Sequence, residues 1–142
     1  EINAGKRFIK KFRKTHPKLK IIYSGDDLYS NQPFIDELKA ANMSFILVAK
    51  PSSHKILYEW FTDIKQMGEA CRLEFTDFEG CHHIYEWVND IPLNGTKDAD
   101  QVNFFYYRLV NKGEVTYRNS WVTDIVIDEN NVAQLVKGGR AR

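Results

Sequence analysis

Two adjacent acids, Asp26 and Asp27, close the run Lys20-Ile21-Ile22-Tyr23-Ser24-Gly25 and precede Leu28-Tyr29-Ser30-Asn31-Gln32-Pro33. The apolar run reads as a buried strand that stops abruptly at the acids. Gln32-Pro33 then opens a helix carrying Phe34, Ile35 and Leu38. A carboxylate at the C-terminal end of a strand in an α/β sheet stands where such sheets place their chemistry. A hard cation such as Mg²⁺ takes one carboxylate there and further oxygen ligands from elsewhere. The same two acids also suit helix capping or a receiver-type phosphoacceptor pocket.

The elements that must position these acids follow from periodicity. Residues 3–15 place Phe8, Ile9 and Phe12 on one side of a basic amphipathic helix, which Pro17 ends. A strand over 19–25, a helix near 32–42, a strand over 44–49 (Ser44-Phe45-Ile46-Leu47-Val48-Ala49) and a helix over 53–69 come next. The order α-β-α-β-α implies parallel strands in a layered α/β fold. After Gly68 the pattern becomes β-rich, with strands expected at 71–78, 82–91, 102–111 and 114–122. Glu79-Gly80, Asn94-Gly95 and Lys112-Gly113 separate them. This reads as an antiparallel meander inserted after the α/β half. Asp128-Glu129-Asn130-Asn131 then caps a helix through Val132, Leu135 and Val136.

The chain has 142 residues, 43% hydrophobic and 13% aromatic, which suits one globular domain rather than a disordered segment. Its apolar runs are too short for a transmembrane helix, and no signal peptide is visible. The start at Glu1 rather than Met hints at an excised piece. Two cysteines, Cys71 and Cys81, are too few for a disulfide framework, and a reducing cytoplasm is expected. The net charge of +1 hides a segregation: residues 1–20 hold eight Lys/Arg and one Glu, whereas residues 21–136 hold nine Lys/Arg and 18 Asp/Glu. Basic ends around an acidic middle are compatible with nucleic-acid contacts, and equally with a solvated basic helix face. Cys71, Cys81, His82 and His83 are competent zinc ligands but lack paired spacing, and alternation sends the two histidines to opposite faces of a strand.

Several runs together carry a family resemblance. They are Ile21-Ile-Tyr-Ser-Gly-Asp26-Asp-Leu-Tyr-Ser-Asn-Gln-Pro33, Phe45-Ile-Leu-Val-Ala-Lys-Pro51, Tyr85-Glu-Trp-Val-Asn-Asp-Ile-Pro-Leu93, Asn119-Ser-Trp-Val-Thr-Asp-Ile125 and Gly138-Gly-Arg-Ala-Arg142. In this order they resemble the catalytic domain of the IS4-type DDE transposases, over nearly the whole chain. The resemblance implies a partial ribonuclease-H-like core at 1–70, a β-rich insertion at 71–125 and the start of a closing helix at 126–142. It implies a parent that cuts and joins DNA with two Mg²⁺ or Mn²⁺ ions held by Asp, Asp and Glu, in a bacterial, nucleoid-associated setting.

By the resemblance Asp26 is the second acid of that triad, a catalytic residue and metal ligand, with Asn31 five residues on. The family has a small residue where this chain has Asp27. Arg142 fits the Arg of the later signature, but Gly139 stands where its Tyr would be. The first Asp and the Glu would fall outside residues 1–142, so this polypeptide alone is expected to be inactive. The other function class is a non-catalytic DNA-binding or assembly module, a truncated or domesticated remnant. Candidate DNA contacts are Lys50, Arg140 and Arg142 as phosphate binders. Trp121 is a base-stacking candidate, with an ordinary core tryptophan as the competing reading. The strand of Asp26 would lack its first-Asp neighbour, and such an open edge predicts self-association.

Overall fold

The computed structural model describes residues 1–141. Among these residues four helices, α1 (Ile2–Thr15), α2 (Gln32–Ala40), α3 (Lys55–Gln66) and α4 (Val132–Arg140), enclose one six-stranded mixed sheet. Its strands are β1 (Ile22–Gly25), β2 (Ser44–Val48), β3 (Cys71–Thr76), β4 (His82–Pro92), β5 (Gln101–Asn111) and β6 (Glu114–Thr123). The order across the sheet is β1-β2-β6-β5-β4-β3. Only β1 and β2 run parallel, and every other neighbour is antiparallel.

The meander expected as an insertion shares this sheet with the α/β half, because β6 lies directly against β2, pairing Ile46 with Thr123 and Val48 with Trp121. The physical reason is the remaining edge of β2. Its Phe45, Ile46, Leu47 and Val48 are all buried, so its backbone groups must find partners away from water.

The first strand is shorter than the expected 19–25. Ile22 pairs with Ser44, the first residue of β2, and the ladder ends with the Ile21 carbonyl, which accepts the Ser44 N–H at 3.3 Å, so Leu19 lies beyond it. Instead the Leu19 carbonyl accepts from Arg13 Nη1 at 2.8 Å, and the Ala41 carbonyl accepts from Arg13 Nε at 2.7 Å. One guanidinium therefore ties α1 to the two connections around it. The start of α2 is set locally: Asn31 Oδ1 accepts the Phe34 N–H at 3.0 Å, and Pro33 lies in the first turn. Asn42 then takes a left-handed φ of 54° where the helix reverses into β2.

Two cores form, one on each side of the sheet. Ile9, Phe34, Ile35, Leu38, Leu57 and Phe61 bring α1, α2 and α3 onto one face, against Phe45, Leu47, Phe104 and Val122. On the other face Val132, Leu135 and Val136 of α4 pack on Ile46, Val48, Phe105, Tyr107 and Trp121. The fold is thus a three-layer mixed α/β arrangement. Glu86 of β4 is almost fully buried, and Lys65 of α3 reaches it at 2.8 Å, with Arg108 at 3.5 Å and Arg72 at 3.8 Å. A buried carboxylate persists only with such partners.

Candidate functional site at the ends of the parallel strands

Because β1 and β2 are parallel, their C-terminal ends open on one edge of the sheet, and both acids stand there. They do different things. Asp26 continues the strand in an extended conformation (φ −85°, ψ −177°), and its Oδ1 accepts the Leu28 N–H at 3.1 Å, capping the 3₁₀ turn Asp27–Tyr29. Asp27 turns toward the exit of β2. Its Oδ1 accepts the Lys50 N–H at 2.7 Å and faces His54 Nε2 at 3.5 Å. Asp27 thereby clamps the loop after β1 to the loop after β2, whereas Asp26 caps the turn that follows β1.

His54 precedes α3 and has a nearly buried ring. Burial pushes its pKa below the ordinary imidazole value, and the Asp27 carboxylate opposes that only in part. A histidine whose folded pKa is depressed favours folding when neutral. Its contribution is therefore complete above the unfolded pKa of about 6.5 and is lost as pH falls toward the folded value. We expect denaturant midpoints to fall between about pH 7 and pH 5, and His54→Gln to flatten that part of the profile. An unchanged slope in the variant would show that His54 does not couple to folding.

Behind the clamp, Tyr58 of α3 hydrogen-bonds Ser120 of β6, and Ser120 Oγ donates to the Ala49 carbonyl at 2.7 Å. Burial pushes the Tyr58 phenol up to about 12, so it stays protonated and can donate within this network. The floor of the edge is braced by neutral hydrogen bonds.

The other expected contacts are scattered. Lys50 is exposed beside the clamp, at the same edge as Asp26. Trp121 is wholly buried and stacks on Phe105, ring centroids 5.2 Å apart. It is a core residue, and the base-stacking expectation is corrected: no face of the indole is open to a base. Arg140 is exposed, but its guanidinium lies over Tyr117 at 4.2 Å and Tyr107 at 5.5 Å, above β5 and β6 rather than beside Asp26. Arg142 lies outside the described residues. Gly139 has a clear reason: a Cβ there would sit 2.6 Å from Trp121 Nε1.

A second polar chain was not legible in the sequence. Asp77 Oδ2 and Tyr107 O–H flank the His83 ring at 2.9 Å each, and Asp77 Oδ1 accepts the Glu79 and Cys81 N–H groups. The His83 bond, with these amides, holds the Asp77 carboxyl below the usual carboxylate range. His83 is thereby engaged on both ring nitrogens, and His82 meets Thr76 Oγ1 at 3.0 Å. Among the described residues no group of three or more His, Cys, Asp or Glu side chains comes together to hold a metal ion. Asp26 supplies one carboxylate and Asp27 is spent on the clamp, so the residues present do not by themselves fit a two-metal site.

No protein-family model matches the chain, and no curated protein sequence does. Among the described residues no helix is long and apolar enough to cross a membrane.

Proposed function

We propose that this chain is the second-acid portion of an IS4-type DDE transposase core, with a partial ribonuclease-H-like topology. The parent would perform metal-dependent DNA cleavage and strand transfer. The observation that carries the reading is the position of Asp26: a carboxylate directly after the last residue of β1, at the C-terminal edge shared with the parallel strand β2, while Asp27 beside it binds the Lys50 N–H.

Two further features support it. β1 ends the sheet order, so its outer edge is available to a strand bearing another acid, or to a second copy. In addition, α4 runs back along β6 toward the Asp26 edge, with Gly138 near Ile46, Gly139 on Trp121 and Arg140 on Tyr117. The helix direction is the one needed for a later acid to approach Asp26.

The test is a pair of DNA cleavage and strand-transfer assays with Mg²⁺ or Mn²⁺. Residues 1–142 alone are expected to show no activity, and the same residues within their full reading frame are expected to cut and join DNA. Activity of the short chain that disappears in Asp26→Asn would show that one acid suffices, and would overturn the partial-site reading. No cleavage by the full reading frame would favour the non-catalytic DNA-binding or assembly module instead.

A further inference from the structure

On the outer side of the helical layer, α1 and α3 each leave a large apolar side chain in water. Phe8 of α1 is 55% exposed, and on α3 Trp60 is 46% and Met67 63% exposed. Scattered exposed apolar residues are ordinary, but the surroundings of these are opposite in charge. Around Phe8 stand Arg7, Lys10, Lys11 and Lys14, all exposed, and α1 contains no acid between Ile2 and Thr15. Around Trp60, Glu59 and Asp63 line a groove of about 530 Å³ whose apolar walls are Trp60, Ile64 and Met67.

Both helices lie on the same side of the sheet. α1 sits with α2 over the β1–β2 side, and α3 lies over β4 and β5, where Phe61 meets Phe104 with ring centroids 4.8 Å apart. α1 is therefore basic and the Trp60 groove acidic, since of the two α3 lysines neither lines the groove and Lys65 is bonded to Glu86. Laying α1 on a second α1 would oppose cations, and α3 on a second α3 would oppose carboxylates; both arrangements are penalised. Laying α1 on the α3 of another copy matches charge and buries Phe8, Trp60 and Met67 together. A two-fold axis in the plane of that contact makes both such contacts at once and closes the assembly.

We propose that two copies of this chain associate face to face in this way, α1 of each seated in the Trp60 groove of the other. The inference does not rest on the catalytic reading. Trp60 is the central anchor, since tryptophans in desolvated pockets dominate interface energetics. Lys11 and Arg7 face the indole and the two acids, where cation–π and ion-pair attraction add to it. The charged rim makes the association salt-dependent.

Sedimentation velocity tests this directly. The chain is expected to be dimeric at about 0.05 M salt and to dissociate progressively by about 0.5 M as screening shortens. Trp60→Ala is expected to weaken the dimer at least about tenfold, and Lys11→Glu or Asp63→Lys alone by about tenfold. The combined Lys11→Glu/Asp63→Lys chain restores opposite charges across the contact and is expected to recover most of that loss. These three side chains are exposed, and an unchanged thermal midpoint in each variant separates lost association from lost folding. A monomer at low salt up to about 0.5 mM, a concentration well above the dissociation constant of any stable interface, overturns the proposal. So does a dimer insensitive to Trp60→Ala and to both charge reversals, which would be pairing through the open edge of β1.

Discussion

On the proposed transposase reading, replacing Asp26 by asparagine in the parent protein is expected to reduce DNA cleavage and strand transfer by on the order of 10³-fold. The asparagine keeps the shape and still offers an oxygen to the Leu28 N–H, so the 3₁₀ turn survives. What it removes is one negative charge at the end of β1. Hard divalent cations bind carboxylates far better than neutral amides. Asp27→Asn should behave differently. It keeps an oxygen for the Lys50 N–H but removes the charge that strengthens that bond and faces His54, so the loops after β1 and β2 are held less firmly. Supporting residues of this kind typically cost about 10–100-fold in metal affinity or activity. Its thermal midpoint should also drop. Single-turnover cleavage rates measured beside thermal melts separate the two roles. If Asp27→Asn proves the more damaging to chemistry at equal stability, the assignment of the two acids is reversed.

Trp121→Ala is the largest stability loss we expect, about 3–5 kcal/mol, as for other large-to-small changes of a buried aromatic. Trp121 is fully buried between β2, β5 and α4, stacked on Phe105 and capped by Gly139. Gly139→Ala tests the same contact from the other side. Its Cβ would lie within 3 Å of the indole Nε1 and Cε2 atoms, and overpacking of this kind costs about 1–3 kcal/mol. The indole N–H is buried without a hydrogen-bond partner among the described residues. Trp121→Phe, which deletes that orphan donor, should therefore cost much less than Trp121→Ala. Urea midpoints at constant m-value decide between these outcomes. Near-equal losses for the Phe and Ala variants would mean that neither the deleted donor nor the volume refilled by the phenyl ring matters, and would overturn this account. The pair also accounts for a departure from the resembled pattern. A tyrosine at position 139 has no room here, because Trp121 fills the space it would need.

Reading β1, β2, all four helices and the four long strands from the sequence worked because local periodicity encodes them. Asn31 before Phe34, the left-handed turn at Asn42 and the glycines at 68, 80 and 113 mark boundaries by local chemistry. The acids at the strand end were legible for the same reason, since a buried run that stops at charge is a local signal. What separates Asp26 from Asp27 is not local. It depends on the Lys50 amide and His54, more than twenty residues away, which only the parallel pairing of β1 with β2 brings to that edge.

Joining the meander to the same sheet was likewise a tertiary decision, taken by the need of β2 to satisfy its second edge, and no alternation pattern specifies which edge a strand will choose. Trp121 shows the limit most plainly. Strand alternation puts it on one face, but whether that face looks at solvent, DNA or a helix depended on α4 arriving with a small residue, Gly139, to lie against it. Composition and periodicity established the elements and placed two carboxylates at a strand terminus. Packing alone decided which carboxylate holds the Lys50 loop and which caps the turn after β1, because that choice is made by contacts between segments far apart in the chain.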